Sequence, residues 1–167
     1  MTSKTIRKTA NRQNLPQMSA EIRQEGDALS KEPSIKKTVL IDDSKATLLK
    51  HAEIIKSCLP NSEIVSFDSA HKAIEYLGDP KVAPPEIIFL DIVMPEMDGF
   101  QFLDKFVNLS NHTSDQVSPL ILLVSENLSL TNFNLSIGYK SLGLNIDHLK
   151  KPMDQEDLST LISKHFQ

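Results

Sequence analysis

The sequence has a single cysteine, Cys58, so no internal disulfide can form and no multi-cysteine zinc site is available. A reduced, cytoplasmic setting is the simplest expectation from that count. Long apolar runs are missing too: none approaches the roughly 20 residues that a membrane-crossing helix needs. The N-terminus lacks the apolar stretch of a secretory signal. There is no excess of basic residues. The formal net charge is −4, which argues against direct nucleic-acid binding, because such domains carry a basic patch or stripe. No internal repeat and no second core is visible.

What is present divides near residue 35. Residues 1–35 are rich in Thr, Ser, Gln, Asn, Lys and Arg, with scattered apolar residues. They hold six basic and four acidic residues, a net +2 that leaves −6 for the remainder. Such a composition buries too little apolar surface to offset chain entropy, so a flexible N-terminal tail is expected. The alternative is a docking or targeting segment, since no acidic residue precedes Glu21.

From residue 36 to 167 the pattern is that of one domain. Val39, Leu40 and Ile41 form an apolar run ending at Asp42-Asp43, and Ser44 can cap a helix bearing Leu48, Ala52, Ile55 and Leu59. Pro60-Asn61 breaks it. Ile64, Val65 and Phe67 make a second strand. Ser69 opens a helix with Ala70, Ala73, Ile74 and Leu77 on one side, stopped by Gly78-Asp79-Pro80. Residues 87–90 are purely apolar and end at Asp91. Asp98-Gly99 precedes a third helix with Phe100, Leu103, Phe106 and Val107 on one face. Residues 120–124 end at Ser125. Residues 130–142 read as a fourth helix terminated by Gly143. Residues 145–149 are a weaker fifth strand, and Asp154 caps a last helix with Leu158, Leu161, Ile162 and Phe166 inward. The Leu and Phe stripes read as core rather than as a cofactor site.

Strands that are apolar throughout are buried on both faces, and short crossovers through helices demand parallel pairing. The expected architecture is a doubly wound α/β fold, a five-stranded parallel sheet with five helices. Ligands in such folds sit at the carboxyl ends of the strands. There the runs deliver Asp42 and Asp43, Asp91, Ser125 and Lys151. Three clustered carboxylates repel one another, and Mg²⁺, a hard cation that prefers oxygen ligands, relieves the repulsion. A lysine suits a phosphate, and a serine hydroxyl can donate to one of its oxygens. Such groups stabilise charge on a transferring phosphoryl group. Taken singly, Asp42-Asp43 reads as a helix cap, Lys151 as a surface charge and Ser125 as a turn residue. Pro95 and Gly99 shape a turn.

The elements Leu40-Ile41-Asp42-Asp43-Ser44, Leu90-Asp91-Ile92-Val93-Met94-Pro95-Glu96-Met97-Asp98-Gly99, Ser125 and Lys151-Pro152 resemble the receiver domain of two-component response regulators. The resemblance covers residues 36–167 and is to the stand-alone, chemotaxis-regulator-like type, with a flavodoxin-like fold. It implies that Asp91 takes a phosphoryl group from a sensor histidine kinase or a histidine phosphotransfer protein. It implies that Asp43 and Asp91 bind Mg²⁺ directly, with the main-chain carbonyl of Val93, and that Asp42 acts through bound water. Lys151 would hold the phosphate and Ser125 would move toward it, beside a cis Lys-Pro bond. The same resemblance points to a downstream protein target on the face of the fourth helix, fifth strand and fifth helix.

Two positions depart from the family pattern. Glu126 stands where a small residue usually leaves the pocket open, and is expected to slow small phosphodonors such as acetyl phosphate. His148 stands where Tyr or Phe usually rotates inward with the switch hydroxyl. It is assigned the switch role, with an exposed strand-end histidine as the plain alternative. Val93 and Asn127 occupy positions that tune aspartyl-phosphate lifetime. Two rival functions compete with this reading. A haloacid-dehalogenase-type hydrolase needs a second Asp two positions after the nucleophile, where this chain has Val93, so no enzymatic turnover is expected. A phosphorylation-independent pseudo-receiver, a binding module, is opposed by the full set of Asp42, Asp43, Asp91, Ser125 and Lys151. No output domain is visible after the receiver, so readout by protein contact is expected.

Overall fold

The computed structural model describes residues 35–109, 118–127 and 129–166. The tail assigned to residues 1–35 lies outside the described residues except for Ile35. That residue is buried and belongs to the same apolar cluster as Leu59 and Leu120.

Ten elements alternate along the chain. They are β1 (Lys37–Ile41), α1 (Lys45–Cys58), β2 (Glu63–Phe67), α2 (Ala70–Gly78), β3 (Ile87–Asp91), α3 (Gly99–Val107), β4 (Leu120–Ser125), α4 (Leu130–Ser141), β5 (Asn145–Lys150) and α5 (Gln155–His165). The five strands form one parallel sheet in the order β2-β1-β3-β4-β5. This is the doubly wound, flavodoxin-like architecture expected from the sequence. The central strands β3 and β4 are buried at every position, because helices cover both faces. The edge strand β2 has no fully buried residue.

Side-chain alternation along the strands separates two apolar cores. Val39, Ile41, Ile88, Leu90, Ile121 and Leu123 face Ala73 and Leu77 of α2 and Phe102, Leu103 and Phe106 of α3. Leu40, Ile87, Phe89, Leu120, Leu122 and Val124 face Leu48 and Ile55 of α1 and Leu158 and Ile162 of α5. The helix starts follow local chemistry. Ser44 Oγ accepts from the Thr47 N–H at 3.3 Å, Asp98 and Gln101 form a capping box, and Asp154 Oδ1 accepts from the Asp157 N–H at 2.8 Å. Ser69 precedes α2 without a side-chain cap bond. Gly143 follows α4 at φ 92, in the left-handed region that glycine adopts without a Cβ penalty.

Helix α4 differs from the other helices, whose apolar stripes pack in or against the core. Only Ser136 of this helix is buried, while Leu130 is 82% and Phe133 50% exposed, and Leu135 and Ile137 also face outward. Its inward side is polar instead. The Ser136 hydroxyl donates to the Phe133 carbonyl, and the Tyr139 hydroxyl donates to the Phe100 carbonyl and to Asp104. These bonds let polar groups occupy the inner stripe and leave apolar residues outside.

Strand β5 is tied to α5 through Asp147. Its carboxylate accepts from Lys164 Nζ at 2.7 Å and from the His148 N–H at 2.8 Å, with His165 Nε2 at 2.9 Å. Burial pushes this carboxyl up, but the hydrogen bonds from Lys164, His165 and the His148 backbone outweigh that and hold it at about 2. A carboxyl depressed in the folded state stabilises above its unfolded value of roughly 4 and loses that contribution as pH falls through about 2. Acid unfolding followed by circular dichroism is expected to show a loss on the order of 2 kcal/mol across that window, absent in Asp147→Asn. An unchanged pH profile in the variant would contradict the assignment.

Candidate functional site

The parallel register brings the strand ends to one edge. Ile41 pairs with Leu90, Asp91 with Val124, and Ser125 with Lys150, so the residues that follow β1 and β5 meet at the end of β3. The Lys151 N–H then donates to the Ser125 carbonyl at 2.9 Å, and the Lys151-Pro152 bond is cis. Its ammonium reaches back over the edge, 2.7 Å from Asp42 Oδ2 and 2.9 Å from Asp91 Oδ2.

One oxygen each of Asp42, Asp43 and Asp91 lies within 4.8 Å of the others. Asp42 and Asp91 are 2% and 6% exposed, whereas Asp43 is open to solvent. Burial raises the Asp91 carboxyl above its ordinary value despite the hydrogen bond from Lys151, and the neighbouring Asp42 charge adds to the rise. Burial alone would lower the Lys151 ammonium, but its bonds to Asp42 and Asp91 raise it, so the lysine stays charged. One cation is shared between two buried carboxylates with a third nearby. That leaves negative charge that a divalent cation suits, and the donor set is all oxygen, as Mg²⁺ prefers.

Asp42, Asp43, Asp91 and Lys151 are thus gathered as the strand ends implied. The other candidate residues stand around them. Val93 is exposed, and its N–H donates to Asp91 Oδ1 at 3.3 Å. Ser125 is buried, with its hydroxyl donating to the Asn127 carbonyl at 3.1 Å and accepting the Asn127 N–H at 3.2 Å, so it is engaged in a local turn rather than with Asp91. Glu126 is exposed at a cavity of about 450 Å³ that Lys151, Lys50 and Thr47 also line. His148 is half-buried on β5. Its ring lies 5.6 Å from that of Phe133 on α4, and burial lowers its pKa despite Asp147.

One residue escaped the sequence reading. His51 lies on the inner face of α1, three residues after Leu48 and four before Ile55, and it is 4% exposed. It lines the cavity shared by Glu126 and Lys151, and its Nδ1 is buried without a hydrogen-bond partner among the described residues. Burial lowers its pKa; Asp42 raises it, while Lys151 and Lys50 lower it. The available signal was a histidine occupying the apolar register of the first helix.

An aspartate trio and a lysine, gathered at the carboxyl edge of a doubly wound sheet, define a class of α/β signalling module. The chain belongs to the response regulator receiver domain family, whose model matches residues 38–163. It is 30% identical to the protein PilG of Pseudomonas aeruginosa over 129 residues, covering 77% of this chain and 86% of PilG. It is 28% identical to protein-glutamate methylesterase/protein-glutamine glutaminase 1 of Caulobacter vibrioides over 130 residues, covering 75% of this chain. Several curated relatives are far longer than the match, which spans 35% of that protein and 13% of Histidine kinase 3 of Arabidopsis thaliana. Among solved structures, a two-component response regulator from Cytophaga hutchinsonii superposes with a TM-score of 0.65 at 25% identity, covering 78% of this chain and 96% of that one. No helix among the described residues is long and apolar enough to cross a membrane.

The loop after β3 is held by backbone bonds, with the Gly99 N–H donating to the Ile92 carbonyl at 2.9 Å. A Cβ on Gly99 would lie 2.7 Å from the Asp91 carbonyl oxygen and 3.0 Å from Ile92 Cα. Both are backbone atoms that cannot yield without moving the aspartate. Gly99→Ala is therefore expected to lower the unfolding free energy in urea by about 1–3 kcal/mol. A loss below about 0.5 kcal/mol, the size of an ordinary surface change, would show that the loop absorbs the methyl group.

Proposed function

We propose that this receiver domain accepts a phosphoryl group on Asp91 from a histidine kinase or a histidine phosphotransfer protein, and passes the signal on by protein contact. The carrying observation is the enclosed Asp91 carboxylate, hydrogen-bonded to Lys151 within an all-oxygen acidic cluster. An Asp91 oxygen attacks phosphorus, the phosphorus–nitrogen bond to the donor imidazole breaks, and an acyl phosphate forms. Lys151 follows the new charge from carboxylate to phosphate. Asp43 and Asp91, with the Val93 carbonyl, would hold Mg²⁺ directly, and Asp42 would act through water. The ion would offset negative charge on the phosphoryl oxygens during transfer. No side chain provides the second acid that a hydrolase of the haloacid-dehalogenase type needs, since Val93 stands there. The domain therefore keeps its phosphate as a signal rather than turning over a substrate.

Ser125 would leave its turn with Asn127 to reach a phosphate oxygen, and the His148 ring would move with it. The ring contact between His148 and Phe133 supports a route from the site to α4. The surface of α4, β5 and α5 is the proposed docking face for the target. The exposed Leu130, Phe133 and Ile137, one stripe at helical spacing, support that reading.

Incubation with Mg²⁺ and phosphoramidate is expected to add one phosphoryl mass to the wild-type chain and none to Asp91→Asn. Mg²⁺ with beryllofluoride is expected to shift the His148 ring resonances in the NMR spectrum. A chain that never gains the mass would be a pseudo-receiver, and a His148 ring that ignores beryllofluoride would exclude its switch role.

Glu126 brings a negative charge to the cavity rim beside Lys151. Glu126→Ala is expected to speed modification by acetyl phosphate several-fold. Equal rates in mutant and wild type would remove the charge-gating idea.

A further inference from the structure

We propose that the Tyr139 hydroxyl is a latch that holds α4 in its resting position and opposes the phosphorylated state, so that removing it makes the site bind a phosphoryl mimic more tightly. This rests on the phosphoacceptor reading of Asp91 and adds the contact that resists the signal.

Helix α4 has little buried surface to keep it in place. Ser136 is its one buried residue, and the hydroxyls of Ser136 and Ser141 bond within the helix, to the Phe133 and Ile137 carbonyls. Tyr139 reaches out instead. Its ring packs against the core formed with α2 and α3 and stacks on Phe100 at 6.1 Å. Its hydroxyl lies 2.7 Å from Asp104 Oδ1 and 3.1 Å from the Phe100 carbonyl. Burial and then the Asp104 carboxylate push the phenol up to about 12, so the hydroxyl keeps its proton and remains the donor. The receiving half of this contact is joined to the phosphorylation edge. Phe100 follows Gly99, whose N–H donates to the Ile92 carbonyl at 2.9 Å and on which a Cβ would lie 2.7 Å from the Asp91 carbonyl oxygen. The amino-terminal end of α4 is tied to the switch hydroxyl. The Asn127 carbonyl accepts from Ser125 Oγ at 3.1 Å and from Asn132 Nδ2 of α4 at 3.4 Å. When Ser125 leaves that turn for a phosphate, this end of α4 is disturbed and the Tyr139 contact still resists displacement. A hydrogen bond to a charged group biases an equilibrium roughly tenfold or more, the size of an ordinary allosteric coupling. Asp104 is exposed, so the lower end applies. A bond of that size sets a resting position and can still be broken by a phosphate. By linkage, whatever stabilises the resting position weakens any ligand that favours the other one.

Two substitutions separate this role from packing. Tyr139→Phe keeps the ring and its stack and removes the hydroxyl. Asp104→Asn, at an exposed position, leaves the hydroxyl a neutral and weaker acceptor. The beryllofluoride concentration that half-saturates the site at saturating Mg²⁺ is measured by NMR, and thermal unfolding is measured without the ligand. Both variants are compared with the wild-type chain, and Asp91→Asn is the control that does not bind. The phenylalanine variant is expected to unfold at a lower temperature yet to half-saturate at about five- to tenfold less beryllofluoride. Asp104→Asn is expected to shift in the same direction by a smaller factor. A merely structural role would lower stability without raising affinity. Half-saturation in Tyr139→Phe at the wild-type concentration would mean that α4 keeps the contact in both states, and would overturn the latch. Half-saturation at a higher concentration would mean that the contact serves the phosphorylated state, and would overturn it too. A folded wild-type chain that does not bind beryllofluoride would instead overturn the phosphoacceptor reading, and the latch with it.

Discussion

One ammonium group lies between two carboxylates that the fold has removed from water. The contacts of Lys151 with Asp42 and Asp91 join residues from the ends of three strands, far apart in sequence. Neither carboxylate would be tolerable there alone, because an unpaired buried charge is expensive. Nor does the lysine fully compensate them, since it offers one charge where Asp43 brings a third acid beside the pair. The imbalance is the useful property. It leaves a site whose electrostatics favour an added cation, and an aspartate whose charge is held by a lysine that can follow it.

That arrangement depends on the sheet. Strands β3 and β4 are buried on both faces, so their positions are held by the two apolar cores rather than by the polar groups at their ends. Phe89, Phe102 and Phe106 are fully buried, as are the Leu and Ile residues of β3 and β4 around them. The close approach of Gly99 to the Asp91 carbonyl then sets the loop after β3. A stiff scaffold lets a charged edge exist without collapsing onto itself.

Away from the edge, the polar stripe that α4 turns inward separates it from the other helices. The Ser136 hydroxyl bonds within the helix, Tyr139 reaches Phe100 and Asp104 of α3, and the apolar side chains that would normally anchor a helix face outward. A helix with so little buried apolar surface is more easily displaced than one held by a packed core. Through Phe133 it meets His148, on the strand that leads to Lys151.

Much of this was legible from residue order alone. Apolar runs ending in Asp42-Asp43, Asp91, Ser125 and Lys151 specified alternating elements and a shared edge, because strand burial and helix periodicity are written locally. Caps such as Ser44, Asp98 and Asp154 were legible for the same reason. Only the folded chain decided the rest. The outward leucines of α4 look like core residues until the partner surface is known. The Ser125 hydroxyl could not be placed with Asn127 rather than Asp91 from spacing. His51 looks like an irregularity in an apolar helix until the tertiary structure sets it beside Lys151, a hundred residues away. Local sequence determines which backbone forms and which residue types reach the edge. Which side chains meet there, and which atoms are left without partners, depends on packing between distant segments.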